Sequence, residues 1–230
     1  MKKVAVIGLG NFGLAVISGL VERGAEVVAI DNDPDKIKKV DTIATVAIQM
    51  DASDKETLLA QGINTVEAAV VGMGNNFESS LLTTVLLKQI GVPYVVARAL
   101  TKIQGQILHH VGADKVVFAE EQVGKEVAQN LLYPHVVESF ELSEKFSIMQ
   151  VDAPKHSWGK DVFQMDLRKN YGVNLIAIKR KKDDKNLVNK IFSAEKEEII
   201  IPGPEDMIQE DDVLVLSGKT KAIENFISDK

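Results

Sequence analysis

A ten-residue stretch near the start of the chain, VAVIGLGNFG (Val4 to Gly13), restricts the fold more than any other. An apolar run leading into Gly8, Gly10 and Gly13 has the spacing of a loop that leaves a strand, wraps phosphate and opens a helix. Gly8 allows the tight turn, Gly10 lets phosphates approach the backbone, and Gly13 lets the helix lie close to the strand. Asn11 and Phe12 complete the loop. A helix start offers unpaired N–H donors and the positive end of a dipole, worth about 0.3–1 kcal/mol per charge and up to about 2 kcal/mol when partly buried. The pattern then requires an acid on the second strand. Asp31 ends EVVAID, next to Asn32, and lies 18 residues beyond Gly13 (31 − 13), against an expected separation of about 20. A carboxylate there accepts from both ribose hydroxyls and repels a 2′-phosphate, favouring NAD or plain adenosine nucleotides over NADP. The alternative is that Asp31 only caps a helix starting near Asp33.

The first half alternates short apolar runs with helical patterns. Strands are predicted at Lys3–Ile7, Glu26–Ile30, Val46–Gln49, Ala68–Val71, Tyr94–Ala97 and Lys115–Phe118. Helices are predicted at Asn11–Arg23, Asp33–Val40, Lys55–Gln61, Phe77–Ile90 and Lys102–His110. The first has Phe12, Val16 and Leu20 on one face and Gly24 as its stop. Six strands with intervening helices imply an α/β, Rossmann-like, doubly wound parallel sheet over residues 1–119. The composition agrees: 45% of the 230 residues are hydrophobic but only 5% aromatic, as suits strands buried on both faces.

After Phe118 the pattern changes. A helix at Glu121–Leu132 carries the apolar stripe Val123, Val127, Ala128, Leu131 and Leu132, and Pro134 stops it. It is either one more helix on the sheet or a helix that leaves its own domain to pack on a neighbour. Residues 120–135 thus form a helix and linker, and 136–230 a smaller α+β domain. Its predicted strands are Val136–Leu142, Phe146–Val151, Val173–Lys179, Ile199–Ile201 and Val213–Ser217, with helices at Lys160–Asn170 and Thr220–Ser228. Lys181–Glu198, rich in Lys, Asp and Glu, reads as a solvated loop or an extended hairpin.

Several function classes recede. A net charge of −6 argues against nucleic acid as partner. Without cysteine there are no disulfides, thiolate metal sites or thiol nucleophiles. No signal peptide precedes the first strand and no apolar run reaches the roughly 18 residues of a membrane span, so a soluble, cytoplasmic chain is expected, with docking to a membrane protein left open. Further candidate residues converge on the carboxyl ends of the strands. Asp51, in QMDASD, is placed for adenine or ribose, and Gly72-Met73-Gly74 for close backbone approach. Arg98 is placed for phosphate or for a salt bridge to a nearby acid. Asn75 and Asn76 are ligand donors or, more simply, caps of the next helix. An NAD-dependent oxidoreductase would also need a proton-transfer group. His109, His110, His135 and His156 pair with no acid at a recognisable spacing, and His156 reads as part of a surface loop. No nucleophile-elbow or H-E-x-x-H motif occurs. A nucleotide-binding protein without catalysis is therefore expected, with the oxidoreductase as the rival.

VIGLGNFG, AIDND, QMDASD, LLTTVLLKQIGVPYVVARA and GADKVVFAEEQVGKEVAQNL resemble the domain that regulates potassium conductance, the RCK or KTN family. LRKNYGVNLIAIKR and EDMIQEDDVLVLSGK resemble its companion C-terminal domain. The likeness covers nearly the whole chain and points to the cytoplasmic nucleotide-binding subunits of Ktr and Trk potassium uptake systems. It implies dimers joined by a helix matching Glu121–Leu132, and commonly a ring of eight chains beneath an integral membrane potassium-transporting subunit. It also implies ATP or ADP in the glycine-rich crevice, with NAD or NADH in some members. Gly8, Gly10, Gly13, Asp31 and Arg98 match the family's nucleotide-contacting positions. Glu120 matches an acid that holds Mg²⁺ or Ca²⁺ near the nucleotide, between subunits; an ordinary helix N-terminal acid is the alternative. Asn11 stands where close relatives often carry Arg, which implies weaker discrimination of ATP from ADP or a different preferred nucleotide. In the second domain, Arg168, Asn174 and Pro202, with Val162 and Ile176 nearby, match positions that contact cyclic di-AMP in related proteins; another messenger or an assembly role stays open.

Overall fold

Valine, isoleucine and alanine at successive positions suit a strand that is buried on both sides, and the first sheet uses them so. The computed structural model describes residues 2–74, 76–181 and 197–229. The chain divides into two compact units, Met1–Val123 and Gly124–Lys230. In the first unit, β1 (Lys3–Ile7), β2 (Glu26–Asp31), β3 (Val46–Gln49), β4 (Ala68–Val71), β5 (Tyr94–Arg98) and β6 (Lys115–Val117) form a parallel sheet in the order β3-β2-β1-β4-β5-β6. This is the doubly wound order, with its crevice where the connections leaving the paired strands β1 and β4 run to opposite faces. Ala5, Ile7, Val28, Ile30, Ala69 and Val71 lie in one core, and Val4, Val6, Val27, Ala29 and Val70 in the other. The helices are α1 (Asn11–Glu22), α2 (Pro34–Val40), α3 (Lys55–Ala60), α4 (Phe77–Gln89), α5 (Lys102–His110) and α6 (Ala119–Leu132). The division between the units falls inside α6.

The fold class agrees with the sequence; some local expectations do not. The buried line of α1 runs through Gly13 and Ile17, with Phe12, Val16 and Leu20 half-buried beside it, because Gly13 sits against the preceding loop. Gly24 has φ +76° and ends the helix as expected. The helix expected over Lys160–Asn170 is two short ones, α7 (Val162–Met165) and α8 (Leu167–Asn170), separated by Asp166 at φ 36° in the left-handed region.

The second unit holds an antiparallel sheet in the order β10-β9-β11-β8-β7, from β7 (Val136–Ser143), β8 (Phe146–Asp152), β9 (Val173–Lys181), β10 (Glu197–Ile200) and β11 (Val213–Lys219). Lys181, Glu197 and Glu198, expected in a solvated loop or an extended hairpin, belong to paired antiparallel strands, Lys181 opposite Glu197 and Arg180 opposite Glu198, as the hairpin alternative has it. The rest of that segment, 182–196, is outside the described residues. Met149, Val151, Ile178, Leu214 and Leu216 pack with Ile223 and Phe226 of the last helix, α9 (Thr220–Ser228). A register shift at Val215/Leu216 sets Ala177 opposite Val215 and Leu175 opposite Leu216, leaving Ile176 between them. His156, expected in a surface loop, lies in a short 3-10 turn, Lys155–Ser157, and packs on Phe226 and Tyr171, with ring centroids 5.0 and 6.1 Å away. Both its ring nitrogens are buried without a hydrogen-bond partner among the described residues.

One ion pair ties β9 to the turn before β11. Asp212, 1% exposed in its side chain, accepts from Arg180 Nε and Nη2 at 2.7 Å each and from the Gln209 amide at 2.7 Å. Arg180 Nη2 also donates to the Met207 carbonyl at 2.8 Å. These contacts raise the pKa of the guanidinium, chiefly through the Asp212 hydrogen bonds. Removing one partner of such a pair strands the other. Arg180→Met is expected to cost about 3 kcal/mol, read as a lower urea midpoint for loss of the antiparallel sheet.

Candidate functional site

The crevice is built at the carboxyl ends of the parallel strands. The Gly8 amide donates to the Ile30 carbonyl at 2.8 Å and the Gly72 amide to the Ile7 carbonyl at 2.7 Å, so both strand ladders continue into the loops. Gly8 has φ +91°, and a Cβ there would fall 2.6 Å from the Met73 side chain. A Cβ on Gly13 would fall 2.1 Å from the Gly8 carbonyl oxygen, which explains why the helix approaches so closely. A Cβ on Gly72 would fall 3.0 Å from the same oxygen. A Cβ on Gly10 would meet nothing within 4 Å.

The helix starts differ in a telling way. Asp33, Asp54, Asn76 and Thr101 cap α2, α3, α4 and α5 by accepting from the Asp35, Glu56, Ser79 and Gln104 amides. Helix α1 begins after Gly10, which offers no side-chain cap. Its first amides receive no hydrogen bond from a cap side chain.

Asp31 is 7% exposed and is not the cap of α2. Its Oδ2 accepts from the Leu9 amide at 2.7 Å and its Oδ1 from the Asp33 amide at 2.9 Å. Lys36 Nζ reaches the two oxygens at 3.3 and 3.4 Å. Asp51 accepts from the Ser53 hydroxyl at 2.6 Å and the Ser53 amide at 2.9 Å, and these bonds hold its carboxyl below the usual range. Arg98, at the end of β5, donates through Nη2 to Glu120 on the first turn of α6 and through Nη1 to the Gly72 carbonyl at 3.4 Å. Its guanidinium lies 5.7 Å from the centre of the Phe12 ring. The same Arg98 bond holds the Glu120 carboxyl below its ordinary range.

A cavity of about 300 Å³ is lined by Gly8, Gly10, Asp31, Asn32, Asp51, Gly72 and Arg98 together with Lys36, Met50, Met73, Asn76 and Ser79. It therefore gathers most of the residues expected to bind nucleotide. Asn11, Phe12 and Gly13 are not in its lining: Asn11 is exposed at the helix start, Phe12 supports Arg98, and Gly13 spaces the helix from the loop. Asn76 is the cap of α4; Asn75 lies outside the described residues. Lys36 and Ser79 escaped the sequence reading. The spacing D-x-x-x-x-K, which returns a lysine to the acid one helical turn later, was the available signal for Lys36.

Among the described residues, no three His, Asp or Glu side chains gather to hold a metal ion. Glu120 is paired with Arg98. His135 does meet an acid, Asp152, at 3.8 Å, a pairing that sequence spacing concealed; both side chains are largely exposed. In the second unit, Arg168 and Asn174 are exposed, Ile176 is 42% exposed, and Val162 and Pro202 are half-buried. A cavity of about 730 Å³ in this unit, lined by His135, His156, Trp158, Lys181 and Glu210 among others, includes none of those five.

A fold of this kind, with a glycine-rich loop, an uncapped helix start and an acid on the second strand, defines a dinucleotide-type binding domain. The family described as TrkA-N domain matches residues 4–119, and the chain belongs to it. The chain is similar to Ktr system potassium uptake protein C of Bacillus subtilis (strain 168): 33% identical over 225 residues, covering 98% of this chain and 96% of that protein. Ktr system potassium uptake protein A of the same organism is 32% identical over 225 residues, covering 98% and 95%. Ktr system potassium uptake protein A of Vibrio alginolyticus is 29% identical over 212 residues, covering 90% and 94%. Among solved structures, the GsuK RCK domain has a TM-score of 0.50 at 25% identity, covering 98% of this chain and 45% of that one. The GsuK channel bound to NAD has a TM-score of 0.64 at 15% identity, covering 99% of this chain and 40% of that one, a likeness of fold. The expected RCK/KTN membership is borne out.

Two neighbouring glycines should separate folding from binding. Gly13→Ala is expected to destabilise the first unit by about 1–3 kcal/mol through overlap with the Gly8 carbonyl. Gly10→Ala, with φ −74° and open space, should leave stability within about 0.5 kcal/mol. It should nevertheless weaken any phosphate ligand. Chemical denaturation and ligand titration of both variants check this.

Proposed function

We propose that the chain is a cytoplasmic, nucleotide-sensing regulatory subunit of a potassium uptake system, and that it works without chemistry on the nucleotide. The observation that carries this reading is the near-full-length similarity to Ktr potassium uptake proteins. The crevice supports it: α1 starts without a side-chain cap, and Asp31, Lys36 and Arg98 line one cavity, groups suited to ribose and phosphate. Its charged groups are bound to one another or to the backbone, and no histidine or tyrosine is in its lining. That is how a site that reads a ligand is arranged, rather than one that moves a proton.

The ligand is an adenosine nucleotide, ATP, ADP, NAD or NADH. A population moved from 1:99 to 99:1 needs about 5.5 kcal/mol of differential affinity. Coupled sites in a ring supply this more readily than one site, so the working form is an oligomer beneath a membrane potassium-transporting subunit. Val123, Val127, Leu131 and Leu132 of α6 are 58%, 52%, 79% and 74% exposed, which supports packing of that helix on a second chain. No helix among the described residues is long and apolar enough to cross a membrane; in this reading the partner carries the transport path. A second subunit would have to complete any divalent-cation site at Glu120. In the second unit, Val162, Arg168, Asn174, Ile176 and Pro202 form the proposed cyclic di-AMP set, supported by the exposure of Arg168 and Asn174.

A thermal-shift panel of ATP, ADP, NAD, NADH, AMP and cyclic di-AMP tests the reading. A ligand at 100 times its Kd adds about 2.7 kcal/mol to the native state. Asp31→Asn keeps an acceptor for the Leu9 amide, so the fold should survive while the shift with adenosine nucleotides is lost. Absence of any shift in the unmodified protein, or oxidation of a hydroxy acid with NAD, would refute the proposal.

A further inference from the structure

We propose that Glu120 is an internal competitor for the phosphates of the nucleotide: it occupies Arg98 in the free protein and must give it up when a diphosphate enters. The proposal rests on the crevice being the nucleotide site. Arg98 is 15% exposed in its side chain, whereas Glu120 is 56% exposed. The guanidinium is held in place by the Phe12 ring beneath it and by Gly74, where a Cβ would fall 2.7 Å from its Cζ and Nη1. It is fixed but poorly satisfied. Nη2 bonds Glu120, Nη1 makes a long 3.4 Å contact with Gly72, and the buried Nε has no partner among the described residues. A guanidinium has five donors in a fork that fits two oxygens of a phosphate.

A pyrophosphate cradled by the α1 amides brings such oxygens to the same cavity wall that Arg98 lines. The exchange satisfies buried donors with a bidentate partner. The carboxylate it releases is already half in water and sits on the first turn of α6, where the helix dipole favours an acid. Glu120 therefore lowers affinity for the diphosphate, and ligand entry frees the first turn of α6 from β5. This is opposite in sign to a role in which Glu120 assists the nucleotide through a bound cation.

The test is calorimetric titration of ADP into the full chain in excess EDTA, with the unmodified protein, Glu120→Gln, Arg98→Ala and the double variant. Glu120→Gln is expected to bind ADP about two- to fivefold more tightly, the range for a half-exposed ion pair. Arg98→Ala should bind more weakly, and adding Glu120→Gln to it should change nothing further. Unchanged or weaker binding by Glu120→Gln overturns the proposal, as does an equal gain in the Arg98→Ala background, which would mark a general charge effect. If the unmodified chain and all variants ignore ADP, NAD and AMP alike, the reading of the crevice falls and this proposal with it.

Discussion

The hydrogen bond from the Leu9 amide to Asp31 is the contact on which the first unit's site depends. It joins the glycine-rich loop to the end of β2 across 22 residues of sequence. Because the acceptor is a carboxylate in a nearly closed setting, the bond is charge-assisted and stronger than an ordinary one. The loop is thereby set before any ligand arrives. The same carboxylate lines the cavity, so one side chain both shapes the loop and borders the space it encloses. Lys36 moderates the cost of keeping that charge buried.

The sheet determines where this can happen. Small and β-branched residues on both faces let helices settle close to the strands, and parallel strands place every strand-to-helix connection at one edge. Four of those connections end in a side chain that caps the helix behind it. The first ends in Gly10, where a side chain would meet open space, and it is Gly13, inside the helix, that has no room for a Cβ against the Gly8 carbonyl. The absence of a cap is what makes that helix start receptive. Stability and recognition thus occupy equivalent positions in successive repeats of the same unit.

Much of this was legible in the sequence, because the glycine spacing and the acid at the end of β2 are local requirements of backbone geometry. The strand series was legible for the same reason: period and composition are local. What could not be read depends on distant partners. Arg98 and Glu120 meet only because β5 and α6 end at the same edge of the sheet. Whether Arg98 serves phosphate or a salt bridge was open from sequence, and the structure pairs it with Glu120. The inward face of α1 is centred on Gly13 and Ile17 rather than the bulkier stripe, since close approach at glycine sets the helix rotation. His156 is enclosed by Phe226, some seventy positions later (226 − 156), which no local pattern announces. The break at Asp166 depends on a left-handed residue that composition does not mark.

The protein's one tryptophan, Trp158, belongs to the second unit, where its indole donates to the Ala153 carbonyl at 2.7 Å. The half that carries the glycine loop has no indole at all. Emission excited at the red edge of the indole band therefore comes from one half of the molecule alone. A spectral response to a compound held by the loop would measure transmission between halves, with no label attached.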